Sequence, residues 1–455
     1  MVQAYIIGLG RSGTTSARLL KLKGWEVELS DGNSSPTLEA KKQALEEEGI
    51  SVKLGHTPSL EETQLPDLLV VSPGVAWDIP LLVEARSKGI DTIGEMELAW
   101  RYLNSSPWVG ITGTNGKTTT TALTAAIFQA AGLSAPACGN IGYAACDLGI
   151  KTHFESAKPD WIIAEISSYQ IESSRELAPQ IGIFTTLTPD HLKRHYTLEN
   201  YYNIKANLLK RCQQQIINGD DPYLRNKGRE SWPNACWTSI KGKSQLLCNP
   251  EKGVYLEDDW VIAFGEKILP IKSLKMVGEH NQQNLLMAVA AAKLAGVDKT
   301  AINKAIENFS GVPHRLERIC TIAGIDFIND SKATNYDAAI VGLNSVATPA
   351  ILIAGGEMKK ADDTPWLKTI INKAAFVLLI GEAAPHFAAR LQQFGYENYE
   401  VVETMNNAVS KGLEVAQQKG ASVVLLSPAC ASFDQYRSFE HRGKHFRDLC
   451  LQRLM

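Results

Sequence analysis

The sequence contains few cysteines, and they do not fall in a disulfide-forming or metal-binding pattern. The chain has 8 cysteines among 455 residues, without CxxC pairs or zinc-ligand spacing. This scatter predicts reduced thiols, and it excludes a disulfide-rich secreted fold and a cysteine-based zinc module. Cys430, in "SPACAS", could be read as a nucleophile, but we expect a small buried thiol.

Long apolar runs and an excess of positive charge are also missing. No apolar stretch approaches the roughly 18 residues that cross a bilayer, and "MVQAYIIGLG" has none of the marks of a secretory leader. The formal net charge of -3 argues against a nucleic-acid binder with a dominant basic surface. We therefore expect a monomeric cytoplasmic protein that acts on small molecules, with neither nucleic acid nor membrane as a partner.

The length and the hydropathy pattern predict several α/β domains. A chain of 455 residues is too long for one core and predicts two to four domains. Apolar strand patterns alternate with helical patterns, which indicates mostly parallel sheets with flanking helices. We predict three domains, at residues 1–96, 97–311 and 312–455. In the third, "PAILIAGG", "AFVLLIGE" and "ASVVLLSPA" read as strands buried on both faces, and short strands are expected within 228–273.

The stretch "GITGTNGKTTTTAL", residues 110–123, is typical of a phosphate site. Backbone N–H groups at a helix N-terminus bind phosphate, Lys117 adds charge at the outer phosphates, and Thr118 can bind Mg²⁺. A strict P-loop pattern would need glycine at position 111, where this chain has isoleucine. Strand, loop and helix are all in place, so we favour a nucleoside triphosphate site over a polar turn that only caps a helix.

A second glycine-rich turn, "GLGRSG", follows the first predicted strand and precedes a helix predicted from about Thr14. Gly8, Gly10 and Gly13 match a dinucleotide-binding pattern, and Asp31 ends the next strand. Any pyrophosphate linked to a ribose would fit, and a turn that serves packing alone is the alternative. Two phosphate sites in one chain indicate an ATP user whose other substrate is also a nucleotide.

Other polar residues follow the phosphate loop. Glu165 ends the predicted strand in "AEISSYQ", a position that commonly serves Mg²⁺. His191 and His195 are four residues apart, but without a third ligand we do not predict a zinc site. His441 and His445 are expected on the solvated face of a helix.

The order of "GTNGKTT", "GNIG", "EISSYQ", "PDHLKRH", "GEHNQQN", "VPHRLE" and "NDSKATN" resembles that of the Mur ligases, the ATP-dependent amino-acid ligases of bacterial cell-wall precursor synthesis. The resemblance covers practically the whole chain. It implies a Rossmann-like N-terminal domain, a P-loop ATPase-like central domain and a Rossmann-like C-terminal domain. The P-loop would also fit folylpolyglutamate synthetases. "NDSKATN", "AGGEMKK" and "SPACASFDQYRSFEHRG" look like the family member that joins D-glutamate to the L-alanine carboxylate of UDP-N-acetylmuramoyl-L-alanine through an acyl phosphate.

The resemblance also implies roles for individual residues. ATP would contact Gly113, Thr114, Asn115, Gly116, Lys117, Thr118, Thr119, Asn281, Asn284, Arg315 and Asp330. The UDP substrate would contact Gly8, Gly10, Arg11, Ser12, Gly13, Asp31, Ser72, Pro73, Gly74, Asn140, Ser167 and His191, with Gly32 after Asp31 where a hydroxyl residue is often found. D-glutamate would contact Thr334, Lys359, Ser432, Phe433 and Phe439.

The implied catalytic residues are Lys117, Glu165, His191 and Lys205. Two Mg²⁺ ions would be held by Thr118, Glu165, His191 and Lys205, the last after carbamylation by CO₂, which turns a cation into a carboxylate. Three alternatives stay open at this point: another amino-acid ligase of the same type, a nicotinamide oxidoreductase, and a nucleotide-gated interaction protein.

Overall fold

A computed structural model of the chain describes residues 2–58, 60, 65–155, 157–276, 278–358 and 362–454. Within these residues the strands form three sheets flanked by helices, and most neighbouring strands run parallel. The predicted α/β class is therefore confirmed. The chain divides into two compact units, Met1–Ser273 with Gln282–Phe309, and Leu274–Asn281 with Ser310–Met455. The first unit contains two sheets and the second contains one.

The first sheet is parallel and has the strand order β3-β2-β1-β4-β5. Its strands are β1 (Gln3–Ile7), β2 (Glu26–Asp31), β3 (Ser51–Leu54), β4 (Leu68–Val71) and β5 (Asp91–Gly94). Its helices are α1 (Arg11–Leu22), α2 (Pro36–Glu47), α3 (Pro80–Ser87) and α4 (Glu95–Leu103). The sequence predicted β1, β2 and β4 but not β3 or β5, which are short strands with polar residues. Helix α1 begins at Arg11 rather than near Thr14, because Gly10 already caps it in an extended conformation.

The second sheet has the order β14-β13-β12-β11-β10-β9-β6-β8-β7. Its strands are β6 (Trp108–Thr112), β7 (Ala137–Gly139), β8 (Ile162–Glu165), β9 (Ile181–Phe184), β10 (Gln214–Asn218), β11 (Cys236–Ser239), β12 (Val254–Glu257), β13 (Trp260–Ala263) and β14 (Glu266–Pro270). Its helices are α5 (Lys117–Ala130), α6 (Ala145–Glu155), α7 (Ser168–Glu172), α8 (Leu192–His195), α9 (Leu198–Arg211), α10 (Pro222–Ser231), α11 (Glu279–Leu294) and α12 (Lys299–Asn308). The short strands expected within 228–273 are present, and β12, β13 and β14 pair antiparallel.

Strand β6 lies between β8 and β9, so the chain order reverses at its carboxyl end. Ligands of open parallel sheets bind at such a reversal, because the loops after neighbouring strands diverge there. The loop after β6 is the predicted phosphate loop. Helices α1, α4 and α6 pack into one apolar core that joins the first two sheets, with Leu19, Met96 and Cys146 buried in it.

The sheet of the second unit has the order β15-β16-β20-β17-β18-β19. Its strands are β15 (Glu317–Ile322), β16 (Ile325–Asn329), β17 (Ala350–Gly355), β18 (Ala374–Ile380), β19 (Tyr399–Glu403) and β20 (Val423–Leu426). Its helices are α13 (Tyr336–Asn344), α14 (Thr364–Lys373), α15 (Ala384–Gln393), α16 (Met405–Lys419) and α17 (Phe439–Gln452). The three apolar strands predicted here are β17, β18 and β20; β17 and β20 are buried throughout and β18 over most of its length.

In the part of the chain that the structure describes, no helix combines the length and the apolar character needed to cross a membrane.

Candidate functional site

The loop after β6 is held in a conformation that only glycine adopts readily. Gly113 has φ 147°, and a Cβ there would lie 1.9 Å from the Thr185 Oγ1. Gly116 has φ 82° and caps α5 in the left-handed region. The Thr114 N–H donates to the Thr186 carbonyl at 2.8 Å, which ties the loop to the end of β9. The result is a rigid strand–loop–helix junction with a helix N-terminus at its centre.

Two lysine side chains meet at one backbone carbonyl in this loop. Lys117 Nζ and Lys205 Nζ each donate to the Gly113 carbonyl oxygen, both at 2.9 Å. Lys205 is 1% exposed, and burial, with Lys117 as the next cause, holds its amine pKa well below the usual value. Two ammonium groups sharing one acceptor repel each other, so this environment favours the uncharged amine of Lys205 more than water does.

Glu165 ends β8 directly beside β6 and is almost fully buried. One of its carboxylate oxygens, Oε1, accepts from the Asn140 Nδ2 at 2.8 Å. The other, Oε2, is buried without a hydrogen-bond partner among the described residues. A buried carboxylate oxygen lacking a donor is costly unless a cation compensates it, so this atom fits a Mg²⁺ ligand.

A cavity of about 870 Å³ extends from this loop to the first sheet. It is lined by Lys117, Lys205 and the predicted substrate residues Gly8, Gly10, Arg11, Ser12, Asp31, Ser72, Pro73, Gly74, Asn140, Ser167 and His191. Gly13 does not line the cavity but packs against the turn: a Cβ there would lie 1.9 Å from the Gly8 carbonyl oxygen. The structure thus places the first glycine-rich turn and the lysine pair of the second on one cavity.

Asp31 differs from a free ribose-binding carboxylate. Its Oδ2 accepts from the Leu9 N–H at 2.8 Å, and its Oδ1 accepts from the Asn33 N–H at 2.9 Å. Oδ2 therefore shapes the glycine-rich turn itself, and Oδ1 holds the loop that follows β2. Asn33, His56 and Tyr169 also line the cavity. Sequence reasoning missed them because Asn33 and His56 lie in loops, and Tyr169 in the short helix α7, without a phosphate-binding pattern.

His191 and His195 occupy different environments. His191 lines the cavity in a left-handed conformation, φ 54°, with its Nδ1 3.1 Å from the Tyr169 hydroxyl. His195 is fully buried, contacts the Ser168 hydroxyl through Nε2 at 2.9 Å, and has a pKa lowered to about 4 by burial. Among the described residues, no group of three His, Cys, Asp or Glu side chains converges on a metal position.

Helix α9 carries another residue that the sequence analysis missed. Lys205 Nζ lies 4.6 Å from the centre of the Tyr201 ring, and the Tyr201 hydroxyl lies 3.4 Å from the Thr114 Oγ1. The spacing of four residues in "YYNIK" is the signal that could have placed Tyr201 over Lys205.

Asn284, on α11, reaches the phosphate loop within the first unit. Its Oδ1 accepts from the Thr120 hydroxyl at 3.2 Å, and a Cβ added to Gly116 would lie 2.5 Å from the same atom. Thr118 and Thr119, the predicted hydroxyl ligands at the start of α5, are buried. These residues therefore surround the position predicted for the ATP phosphates.

The second unit contains a separate polar cluster at the carboxyl end of its sheet. Asp330 follows β16 and is largely buried, and its Oδ2 accepts from the Ser427 hydroxyl at 2.8 Å. Burial raises the Asp330 pKa to about 7, while Ser427 and Arg315 oppose the rise. Asn281 is also buried in this unit. The charge of Arg315 thus acts on the Asp330 carboxyl group.

The residues predicted to bind D-glutamate are unevenly exposed. Ser432 is buried and Phe433 is 69% exposed, while Phe439 lies half-buried with the Lys332 Nζ 5.4 Å from its ring centre. Thr334 is half-buried in the loop after β16. Lys359 lies outside the described residues.

Helix α17 shows one prediction to be partly wrong. His441 is exposed as expected, but His445 is half-buried and its Nδ1 lies 2.9 Å from the Tyr436 hydroxyl. The adjacent Arg442 is 1% exposed and donates to the carbonyls of Ser331 and Cys430. Cys430 itself is fully buried, as predicted.

Comparison with known proteins finds matches to one family in all three parts of the chain. Residues 2–94 match the Mur ligase MurD-like N-terminal domain, residues 111–292 the Mur ligase middle domain, and residues 314–430 the Mur ligase glutamate ligase domain. The chain is 68% identical over 451 residues to the UDP-N-acetylmuramoylalanine–D-glutamate ligase of Rippkaea orientalis, covering 99% of both chains. It is 62% identical to the protein of the same name from Synechocystis, again covering 99% of both.

Solved structures share the fold at lower identity. The UDP-N-acetylmuramate–alanine ligase of Thermotoga maritima aligns over 100% of both chains with a TM-score of 0.60 and 18% identity. A pseudomurein peptide ligase from Methanothermus fervidus aligns over the same share with a TM-score of 0.58 and 19% identity. The sheet order, the phosphate loop and the full-length relatives lead to one conclusion: the chain belongs to the Mur ligase family.

Proposed function

We propose that this protein is an ATP-dependent ligase that joins D-glutamate to the L-alanine carboxylate of UDP-N-acetylmuramoyl-L-alanine, in the cytoplasm and during synthesis of peptidoglycan precursors for cell-wall growth and division. The relatives of 62–68% identity carry the name of this activity. Membership of a ligase family decides against the oxidoreductase and the interaction protein. A folylpolyglutamate-type ligase is disfavoured by the MurD-like N-terminal domain.

The observation that carries the proposal is a cavity shared by the first glycine-rich turn and the lysine pair. The turn after β1 and the lysine pair at Gly113 line the same cavity of about 870 Å³. A sugar nucleotide whose diphosphate lies at the first turn would extend its acyl end toward the second. This arrangement suits transfer of a terminal phosphoryl group from ATP to a carboxylate on the other substrate.

The chemistry requires the carboxylate to be activated. Hydroxide is a poor leaving group, so the carboxylate oxygen attacks the γ-phosphorus of ATP, the bond to the β–γ bridging oxygen breaks, ADP leaves, and an acyl phosphate forms. The amine of D-glutamate then attacks the acyl carbon, the C–O bond to phosphate breaks, and amide and inorganic phosphate result. Lys117 and the N–H groups at the start of α5 would offset the negative charge as the phosphoryl group moves.

Glu165 and Thr118 fit Mg²⁺ as they stand, whereas Lys205 would have to be modified to bind it. Glu165 Oε2 and the Thr118 hydroxyl are oxygen ligands of the kind Mg²⁺ prefers, and His191 stands at the cavity. When bound, Mg²⁺ would supply charge to the phosphate oxygens. A charged Lys205 does not fit a cation site, whereas its uncharged amine can react with CO₂ to give a carbamate, which supplies oxygen ligands.

The second unit would supply the amino-acid site. Thr334 and Ser432 lie in the loops after β16 and β20, and Phe439 begins α17. The Phe439 carbonyl accepts from the hydroxyl of Ser331, the neighbour of Asp330, at 2.8 Å. D-glutamate carries two carboxylates, so a pocket with hydroxyl donors and nearby cations is the expected environment.

The test is a phosphate-release assay with UDP-N-acetylmuramoyl-L-alanine, ATP and Mg²⁺. D-glutamate, L-glutamate, L-alanine and meso-diaminopimelate are each added separately, and the peptide product is identified by mass. We expect phosphate release and product with D-glutamate only. Equal or greater turnover with another amino acid would assign a different member of the family, and ATP-independent NADH binding would revive the oxidoreductase.

A further inference from the structure

We propose that Asn140 is a positioning residue that holds the buried Glu165 carboxylate ready for a divalent cation, and that Arg11 fixes the loop in which Asn140 lies. Both roles rest on the proposed function, in which Glu165 binds Mg²⁺ and the first glycine-rich turn binds the sugar nucleotide. Asn140 thereby has a task that needs no substrate, besides the substrate contact that the family resemblance implies.

The loop of residues 139–143 lies directly against Glu165. Gly139 ends β7 opposite Glu165 of β8, and a Cβ on Gly139 would lie 2.3 Å from the Glu165 carbonyl oxygen. The Gly139 N–H donates to the Tyr143 carbonyl at 2.8 Å, which closes the loop on itself. The backbone of this loop is therefore pressed onto the residue that ends β8.

Asn140 holds Glu165 at two points. Its backbone N–H donates to the Glu165 carbonyl oxygen at 2.9 Å, and its side-chain Nδ2 donates to Glu165 Oε1 at 2.8 Å. The direction of the second bond is fixed, because an amide N–H group donates and a carboxylate oxygen accepts. Oε1 is thus held by the loop, and Oε2, which is buried without a hydrogen-bond partner among the described residues, is left to a cation.

A neutral amide suits a carboxylate that has to bind a cation. A lysine or arginine at the same place would neutralise the carboxylate and compete with the cation for it. Carboxylates that bind metals are in turn hydrogen-bonded, and the partner fixes their orientation. Asn140 therefore meets both requirements before any ligand is present.

Arg11 holds the far end of the same loop. It begins α1 just after the first glycine-rich turn, and its Nη1 donates to the Gly142 carbonyl at 2.8 Å. Gly142 has φ 62°, a left-handed conformation that glycine adopts without strain. Arg11 lines the cavity together with Asn140, so one side chain ties the turn predicted to bind the diphosphate to the loop that holds Glu165.

The experiment measures Mn²⁺ binding to the full-length protein in the presence of a non-hydrolysable ATP analogue and without the UDP substrate. Electron paramagnetic resonance of free Mn²⁺ gives the dissociation constant. Because no UDP substrate is present, a lost substrate contact of Asn140 cannot change the result. We expect Asn140→Ala to weaken Mn²⁺ binding about 10- to 100-fold. Arg11→Met should weaken it about 2- to 10-fold, since one hydrogen bond fewer fixes the loop.

The matched controls remove similar bonds from residues that do not line the cavity. Asn303→Ala loses an amide bond of 2.9 Å to the Ile268 carbonyl. Arg18→Met, on the same helix as Arg11, loses the ion pair with Glu48. Neither control should change Mn²⁺ binding, and the melting temperature of each variant shows that it is folded.

A double variant shows whether Asn140 acts through the carboxylate. In a Glu165→Gln protein the charged ligand is already gone, so adding Asn140→Ala should change Mn²⁺ binding by less than about twofold. If Asn140→Ala does not fold, Asn140→Ser, whose side chain is one bond too short to reach Oε1, takes its place with the same expectation.

Four results would overturn these roles. Unchanged Mn²⁺ binding in Asn140→Ala removes Asn140, and an equal loss in the Glu165→Gln background shows that Asn140 does not act through Glu165. Unchanged binding in Arg11→Met removes Arg11. A wild type that binds Mn²⁺ no more tightly than Glu165→Gln overturns the proposal by itself. None of these measurements uses D-glutamate, so a wild type that binds Mn²⁺ as expected but does not use D-glutamate would refute the proposed function alone.

Discussion

The two glycine-rich turns of the first unit share a backbone design and differ in charge. Each follows the first strand of its sheet, begins with a glycine at positive φ, 99° at Gly8 and 147° at Gly113, and leads into a helix capped by glycine. At the first turn, the Gly8 carbonyl accepts from the neutral Ser72 hydroxyl. At the second, the Gly113 carbonyl accepts from two lysine amines.

The backbone N–H groups of the two turns also differ in the charge of the acceptors that they bind. The Leu9 N–H of the first turn is already bound to the Asp31 carboxylate, so the protein supplies a negative charge there itself. The N–H groups of the second turn bind a neutral partner, Thr186 for both Thr114 and Asn115, and the charge added beside that turn is the positive charge of Lys117. In the proposed function the same backbone motif would bind a substrate in one place and support phosphoryl transfer in the other, and the two turns differ in side-chain charge.

The largest expected effect comes from removing the charge of the second turn. Lys117→Ala should lower kcat about 10³-fold, because a donor to the migrating phosphoryl group is lost, and the melting temperature should stay near that of the wild type. Arg11→Ala, at the first turn, should instead raise KM for the UDP substrate and change kcat little. Steady-state kinetics measure kcat and KM for both variants. Near-normal turnover of Lys117→Ala would contradict the proposed difference between the two turns.

Lys205 tests whether the second lysine acts as a cation or as a carboxylate. Lys205→Ala should lose about 100-fold or more in kcat and regain part of it with added acetate, which replaces the carbamate oxygens. Lys210→Ala, an exposed lysine on the same helix, is the control and should behave as wild type. A ¹³CO₂-labelled active enzyme that shows an unmodified Lys205 amine would contradict the carbamate.

Added methyl groups test the backbone side of the comparison. Gly113→Ala should lower the free energy of unfolding by on the order of 3 kcal/mol, because the Cβ would collide with Thr185 in a strained backbone. Gly10→Ala should be tolerated within about 0.5 kcal/mol, because no atom lies within 4 Å of its Cβ position. Urea unfolding measures both, and equal losses would show that the two turns are not distinguished in this way.

Glu95 lies at the seam between the two sheets and gives a pH test. Burial raises its pKa to about 7, so between about pH 4.5 and 7 the folded state holds a proton that the unfolded state has lost. Stability from this group therefore falls as pH rises through that range and is constant above it. Urea unfolding at a series of pH values should show that Glu95→Gln removes a change of on the order of 3 kcal/mol in the free energy of unfolding. If wild type and variant gave parallel curves against pH, the Glu95 carboxyl group would not have a raised pKa.

The strand pattern and the two turns could be predicted from the sequence because local physics decides them. An apolar run such as β17 forms a buried strand, and a glycine such as Gly113 permits a positive φ, whatever the tertiary neighbours are. The short strands β3 and β5 were missed because tertiary pairing, and not periodicity, stabilises four polar-flanked residues. The start of α1 was misplaced because the extended conformation of Gly10 is invisible in composition.

Parts of the site depended on three-dimensional neighbours. Nothing in "YYNIKANL" shows that Lys205 is buried beside Lys117, since they are 88 positions apart in the sequence. The engagement of Asp31 by Leu9 and the contact of Tyr169 with His191 likewise join distant segments. His445 was expected to be solvated, and Tyr436 partly covers it.

The most direct measurement follows the oxygen atoms of the acceptor acid. UDP-N-acetylmuramoyl-L-alanine with ¹⁸O in its alanine carboxylate is incubated with ATP, Mg²⁺ and D-glutamate, and the inorganic phosphate is analysed by mass. Activation as an acyl phosphate predicts one ¹⁸O atom in each phosphate released. Phosphate that carries no label would mean that the lysine-bearing turn does not hand its phosphoryl group to this acid.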